Sequence, residues 1–104
     1  MTRKVIGGFV MAIHEKKTVQ SNFQDIINGD KTFDIRKDRC NYQVGDIIIF
    51  REIVEKDIFN TFSGRIDSLV EYTGRSCKAE ITYKTKGGYG LKNNWCALGL
   101  KLTK

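Results

Sequence analysis

The 104 residues carry 18 basic and 12 acidic side chains, a net charge of +6, with 40% apolar residues, three cysteines, one histidine and no proline. That length supports one domain, taken here as residues 1–104, with one modest core, and it excludes a two-domain catalytic cleft. No apolar run reaches the ~20 residues of a membrane helix, no secretory leader pattern opens the chain, and Cys40, Cys77 and Cys96 are too scattered for a zinc site or a disulfide scaffold. A reduced, cytoplasmic protein with no membrane partner, no metal and no cofactor is therefore expected. The charge is uneven: no acid follows Glu80, whereas Lys84, Lys86, Lys92, Lys101 and Lys104 do. Such a field favours polyanions, chiefly nucleic acid.

In chain order, the branched residues between Val5 and Ile13 predict a strand over Phe9 to His14, which ends on the single histidine with Glu15, Lys16 and Lys17 beside it. Thr18 or Ser21 is placed to cap a helix, and Ser21 with Gln24 has capping-box spacing. Val19, Phe23, Ile26 and Ile27 form its apolar stripe, and Gly29 suits a left-handed cap at its end. Phe33 to Lys37 alternates as a half-buried strand, with Phe33 and Ile35 inward and Thr32, Asp34 and Arg36 on the opposite face. Tyr42 and Val44 are expected to turn inward from the following loop, and Gly45-Asp46 to make a tight turn. Ile47 to Phe50 is the most apolar run and predicts a central strand reaching Ile53.

Residues 54–76 are the least patterned. A turn is expected around Phe59 to Arg65, with Phe59 and Phe62 either covering one barrel end or lining a groove to stack on bases, and another at Tyr72-Thr73-Gly74-Arg75. Cys77 to Tyr83 alternates as a strand. Thr85 to Leu91 reads as a glycine-rich loop carrying Tyr89, and Trp95 to Leu102 as a closing strand with its leucines inward. Strands outnumber helices, so the expected fold is mainly β with a flanking helix, closed into a small barrel of about five to six strands, since closure removes exposed edges.

Function concentrates in Gly29 to Asp46. A short strand there presents Asp34 beside Arg36, with Lys31 at its mouth and Lys37, Asp38 and Arg39 behind it. Read from spacing alone, this is either a binding patch or the solvated face of an edge strand. The helix brings His14 and Lys31 to neighbouring positions.

His14-Glu15-Lys16, Gly29-x-Lys31-x-Phe33-Asp34-Ile35-Arg36-Lys37, Gly45-Asp46, Tyr72-Thr73-Gly74-Arg75, Ile81-Thr82-Tyr83 and the Gly90-Leu91 to Leu98-Gly99-Leu100 ending together resemble the DUF3850 family, placed with the ASCH domains of the PUA-like superfamily. The resemblance covers about His14 to Leu102, with a family-variable insertion near 55–69. Asp34 stands where the family pattern usually has Glu. The resemblance implies a PUA-like barrel with a cleft between barrel and helix, and an RNA or modified-nucleotide ligand. Lys31 and Arg36 would then meet phosphate, Arg36 through its bidentate fork. Asp34 would accept from a base amino group or orient Arg36, and Lys37 and Arg39 would hold the backbone. His14 and Lys16 would border the site, and Tyr89 would stack on a base.

Two alternatives stand beside this reading. An ASCH relative similar at the Gly-x-Lys-Thr block is an amidohydrolase acting on N4-acetylcytidine. Lys31 matches its lysine, whereas its threonine corresponds to Asp34 here and its glutamate has no secure counterpart. In such an enzyme Lys31 would be nucleophile or base, with Asp34 beside it. The other alternative is a protein-interaction module of phage or mobile-element origin, which would expose Phe59 and Phe62. A monomer is expected.

Overall fold

The structure, a computed structural model, describes residues 4–103, and the side chains of all of these except Lys4, Ile6 and Phe9. Lys104 of the basic tail lies outside the described residues. A small hairpin, β1 (Lys4–Ile6) with β2 (Phe9–Met11), precedes the main sheet. That sheet holds β3 (Ile13–Val19), β4 (Phe33–Lys37), β5 (Ile47–Asn60), β6 (Arg65–Gly88) and β7 (Leu91–Thr103) in the order β3-β5-β6-β7-β4. β3 pairs with β5 in parallel, and every other pair is antiparallel. β3 and β4 are the two edges and do not pair with each other, so the sheet curls without closing into the expected barrel.

One helix, α1 (Gln20–Ile27), crosses from β3 towards β4. It buries Phe23 and Ile26 against Ile48, Phe50, Ala79, Ile81, Cys96, Leu98 and Leu100. Burying each of these two side chains is worth roughly 1.5–3 kcal/mol. No side chain caps its start, because β3 runs on through Val19 directly into the first turn. The expected capping box is therefore absent, with Ser21 inside the helix and Thr18 buried on β3. The end is as expected. Gly29 sits at φ 80°, its N–H bonds the Ile26 carbonyl at 3.1 Å, and the N–H groups of Asp30 and Lys31 both reach the Asp25 carbonyl at 3.0 Å.

Two of the three register shifts in the main sheet change which face nearby side chains occupy. The family block Tyr72-Thr73-Gly74-Arg75 is not a turn but a bulge within β6, where pairing with β5 shifts between Arg51 and Ile53 and Gly74 takes φ 93°. From it Thr73 Oγ1 donates to Glu52 at 2.7 Å, and the Arg75 guanidinium lies 3.6 Å from Glu52 and over the Phe23 ring. The bulge thus braces α1 on the sheet. The second shift falls between Ile81 and Tyr83. It leaves Ala79 and Ile81 buried as the alternation predicts but turns Tyr83 outward. Gly99 faces this bulge, and a Cβ there would lie 3.1 Å from both Thr82 Oγ1 and Tyr83 Cβ.

Residues 54–60 and 65–72 are strand, joined by a turn over 61–64 where one was expected around Phe59 to Arg65, and their side chains are almost all exposed. They form a two-stranded arm that leaves the body beyond the bulge, along a molecule measuring 54 × 32 × 30 Å. Phe59 and Phe62 lie on this arm, exposed, and do not cover the core. The expected glycine-rich loop is likewise strand: β6 reaches Gly88 and turns into β7 through Tyr89 and Gly90, both at positive φ (50° and 84°), as a two-residue type I′ hairpin requires.

Candidate functional site

The site forms where the sheet fails to close. β4 lies on the β7 edge with Asp34 opposite Leu98 and Arg36 opposite Cys96, both buried partners on the inner face. Asp34 and Arg36 therefore point inward, and Asp34 is only 6% exposed. Phe33 (50%) and Ile35 (48%) face outward. This reverses the sidedness read from the alternation. A period of two shows that two faces differ, not which one meets the core, and here the polar face lines the interior beside the gap.

Across that gap, His14, Lys16 and Thr18 share the inner face of β3. Between the two edges lies a cleft of about 590 Å³, walled by Lys16, Asn22, Lys31, Phe33, Asp34, Ile35, Arg36, Lys37, Arg39, Tyr42 and Trp95. Five of these are cations and one is an acid. The Arg36 Nε donates to Asp34 Oδ2. The other Asp34 oxygen has no protein partner among the described residues. The Arg36 guanidinium also stands 5.9 Å from the Phe50 ring, which fixes its approach from below. Lys31, Lys37 and Arg39 have no carboxylate partner among the described residues. Lys31 reaches over the Phe33 ring, 5.7 Å from its centre.

The floor on the β3 side is a cluster of Lys16, Cys40 and Tyr42. Lys16 Nζ donates to Cys40 Sγ at 3.1 Å and sits 5.6 Å from the Tyr42 ring centre. Burial pushes the Cys40 thiol up, but the Lys16 ammonium and the Tyr42 hydroxyl outweigh it and hold the thiol below its usual value. Burial alone would lower Lys16; its bonds to Cys40 and Tyr42 prevail and raise it. Tyr42 is raised by burial. Val44, expected inward beside Tyr42, is exposed.

The loop bearing Cys40 and Tyr42 is anchored at both ends. Asp38 accepts from the Tyr42 N–H at 3.1 Å and from Lys84 at 2.8 Å, with Lys86 at 3.4 Å. These donors overcome its burial and keep its carboxyl below the ordinary range. Lys84 also donates to the Tyr42 carbonyl at 2.6 Å. At the other end, buried Asp46 accepts from the backbone N–H groups of Ala12 and Gln43, each at 3.0 Å, and from His14 Nε2 at 2.9 Å. A carboxylate only accepts, so Nε2 carries the proton. The ring tilts against Tyr42 with centroids 4.6 Å apart, and Nδ1 has no partner among the described residues.

Lys16, Lys31, Asp34, Arg36, Lys37 and Arg39 thus converge on one cleft, as named from the sequence. His14 is buried beneath it, bonded to Asp46, and does not wall it. Tyr89 stands at the tip of the β6–β7 hairpin, 95% exposed and outside the cleft. The aromatic residue at the lip is instead Trp95, paired with Lys37 across the β4–β7 ladder. The sequence reading passed over Trp95 as a closing-strand residue, although its position one strand from Lys37 follows once β4 and β7 are paired. Tyr42, Cys40 and Asn22 were also missed, since only the fold brings them to Lys16 and Lys31. Among the described residues no group of His, Cys, Asp and Glu is arranged to hold a metal ion, and no helix is long and apolar enough to cross a membrane.

Residues 13–100 match the domain of unknown function DUF3850, which spans the chain from the first residue of β3 to the last buried leucine of β7. The chain belongs to the DUF3850 family. The matched region contains β3 to β6, β7 as far as Leu100, α1 and the cleft, and leaves the β1–β2 hairpin outside. No curated protein matches the chain significantly.

Proposed function

We propose that this DUF3850 domain binds RNA or a modified nucleotide in the cleft between β3 and β4. The observation that carries the reading is the convergence of five cations around one inward carboxylate in a cavity of about 590 Å³. Lys31, Lys37 and Arg39, free of carboxylates, suit phosphate. Trp95 and Phe33 offer faces on which a base stacks, worth about 1–3 kcal/mol per base. Asp34 presents an acceptor-only oxygen, which favours a base carrying an exocyclic amino group over uracil. We read the domain, from its sequence resemblance, as a small ASCH-type member of the PUA-like superfamily whose open sheet would serve as the ligand's entrance. Fluorescence anisotropy with short labelled single-stranded RNAs tests this. Binding should weaken in Lys31→Ala and Arg39→Ala, and Asp34→Asn should narrow the preference for cytidine over uridine. Equal affinity of the parent and both cation variants across a mixed RNA pool removes the proposal.

A second reading, an amidohydrolase for N4-acylated cytidines, draws on one observation. Arg36 engages Asp34, and Lys31 has no carboxylate partner among the described residues. Release of cytidine from N4-acetylcytidine, abolished by Lys31→Ala, would favour it. No turnover at high protein concentration would end it.

A further inference from the structure

We infer that the β5–β6 arm is a docking element for a second copy of this chain, seated on the outer groove formed by Ile35, Leu91 and Trp95. A two-stranded ribbon is marginal in water on its own, and this one has little to cover it. Opposed pairs put Phe59 beside Ile66, Glu55 beside Val70 and Ile53 beside Tyr72, so Phe59, Ile66, Val70 and Tyr72 share one exposed face. Its only charged residues beyond the bulge are Glu55 and Asp57, neither in an ion pair among the described residues. Phe62 stands fully exposed (101%) at the tip. It is held there by an ordered turn, in which Asn60 Oδ1 accepts from the N–H groups of Phe62 and Ser63 at 2.9 and 3.3 Å and Gly64 N–H reaches the Asn60 carbonyl at 2.9 Å. A tip already ordered loses little freedom on docking.

The charge of the arm decides its partner. Four acids stand against two bases between residues 54 and 72 in a chain of net charge +6. Apart from the Arg51 guanidinium, which stacks 3.8 Å from the Tyr72 ring centre at the bulge, the charges of this apolar face are acidic, which repels nucleic acid and suits a basic, apolar surface. The outer side of β4 and β7 is such a surface. Ile35, Gly90, Leu91, Lys92 and Trp95 enclose a groove of about 310 Å³, which shares Ile35 and Trp95 with the wall of the cleft and has Lys37 beside Trp95 on the same face. The arm begins β6 and the groove lies at its far end, so a chain cannot fill its own groove. Two chains side by side in opposite senses exchange arms across a two-fold axis. This departs from the monomer expected from the sequence.

Sedimentation equilibrium of the full chain over a range of protein concentrations tests the proposal. The parent should dimerise, and Phe59→Ser with Phe62→Ser should yield monomer with an unchanged far-ultraviolet spectrum. Lys92→Glu should raise the dimer dissociation constant roughly tenfold or more, through like-charge contact with Asp57. Adding Asp57→Lys to Lys92→Glu should restore association, which no general loss of folding would do. A parent that sediments as monomer throughout overturns the proposal, as does a dimer indifferent to the phenylalanine variants or a double charge exchange that fails to recover it.

Discussion

Replacing Lys31 with alanine should change not only how tightly RNA binds but how steeply binding depends on salt. Arg36 is held by Asp34 and Lys16 by Cys40, so Lys31, Lys37 and Arg39 are the cleft cations free to displace counterions. Three phosphate contacts on a single strand give a slope of log affinity against log salt of about −2. Between 50 and 200 mM salt the parent should then lose about 20-fold in affinity. Lys31→Ala should show a slope of about −1.4 and lose about 7-fold over the same range. Lys101→Ala, on β7 outside the cleft, should leave the slope at the parent value. Anisotropy titrations of one labelled oligonucleotide at four salt concentrations measure all three proteins. A Lys31→Ala slope equal to that of the parent would refute the assignment of this ammonium to phosphate, even if affinity fell.

Three further outcomes follow from the groups beneath the cleft. His14→Ala should cost about 3 kcal/mol in urea unfolding, because it deprives buried Asp46 of a donor and Tyr42 of a packed ring; its salt slope for RNA should not change. Asp38 has a folded-state value below its ordinary 3.8, so its stabilisation is complete above that value and disappears as pH falls through the lower one. Acid unfolding should therefore begin at higher pH in Lys84→Ala than in the parent, as followed by tryptophan fluorescence. Cys40 should be alkylated by iodoacetamide at lower pH than Cys77, whose thiol burial pushes up. Lys16→Ala should move the Cys40 profile towards higher pH, and an unmoved profile would show that the ammonium does not govern the thiol.

Much of the core was legible in sequence because burial leaves a pattern. The apolar run from Ile47, the alternation of Ala79 with Ile81 and of Cys96 with Leu98 and Leu100, and the Phe23–Ile26 stripe all mark buried positions. The charges from Lys31 to Arg39 were legible as a cluster, since a short strand and its flanks keep neighbours together. What pattern does not carry is sign. Phe33 and Ile35 alternate as a buried face would, yet β4 is an edge whose inner neighbours are the polar walls of a cleft. Bulges were equally invisible, and each one shifts every later side chain, as Tyr83 shows. The arm lacked a pattern because neither of its faces meets the core. The His14–Asp46 bond joins residues 32 apart, and no local signal announces it.

The lone parallel ladder, β3 against β5, has a kinetic corollary. β5, β6 and β7 are consecutive antiparallel neighbours joined by short reversals, and such local contacts form early. β3 closes on β5 across 34 residues and β4 on β7 across 58 to 66, long closures that come later than these hairpins. Both banks of the cleft are therefore expected to form after the β5–β6–β7 meander. On the proposed reading, a partly unfolded copy would have nothing with which to hold a nucleotide, and occupancy would report that the last border has been fitted.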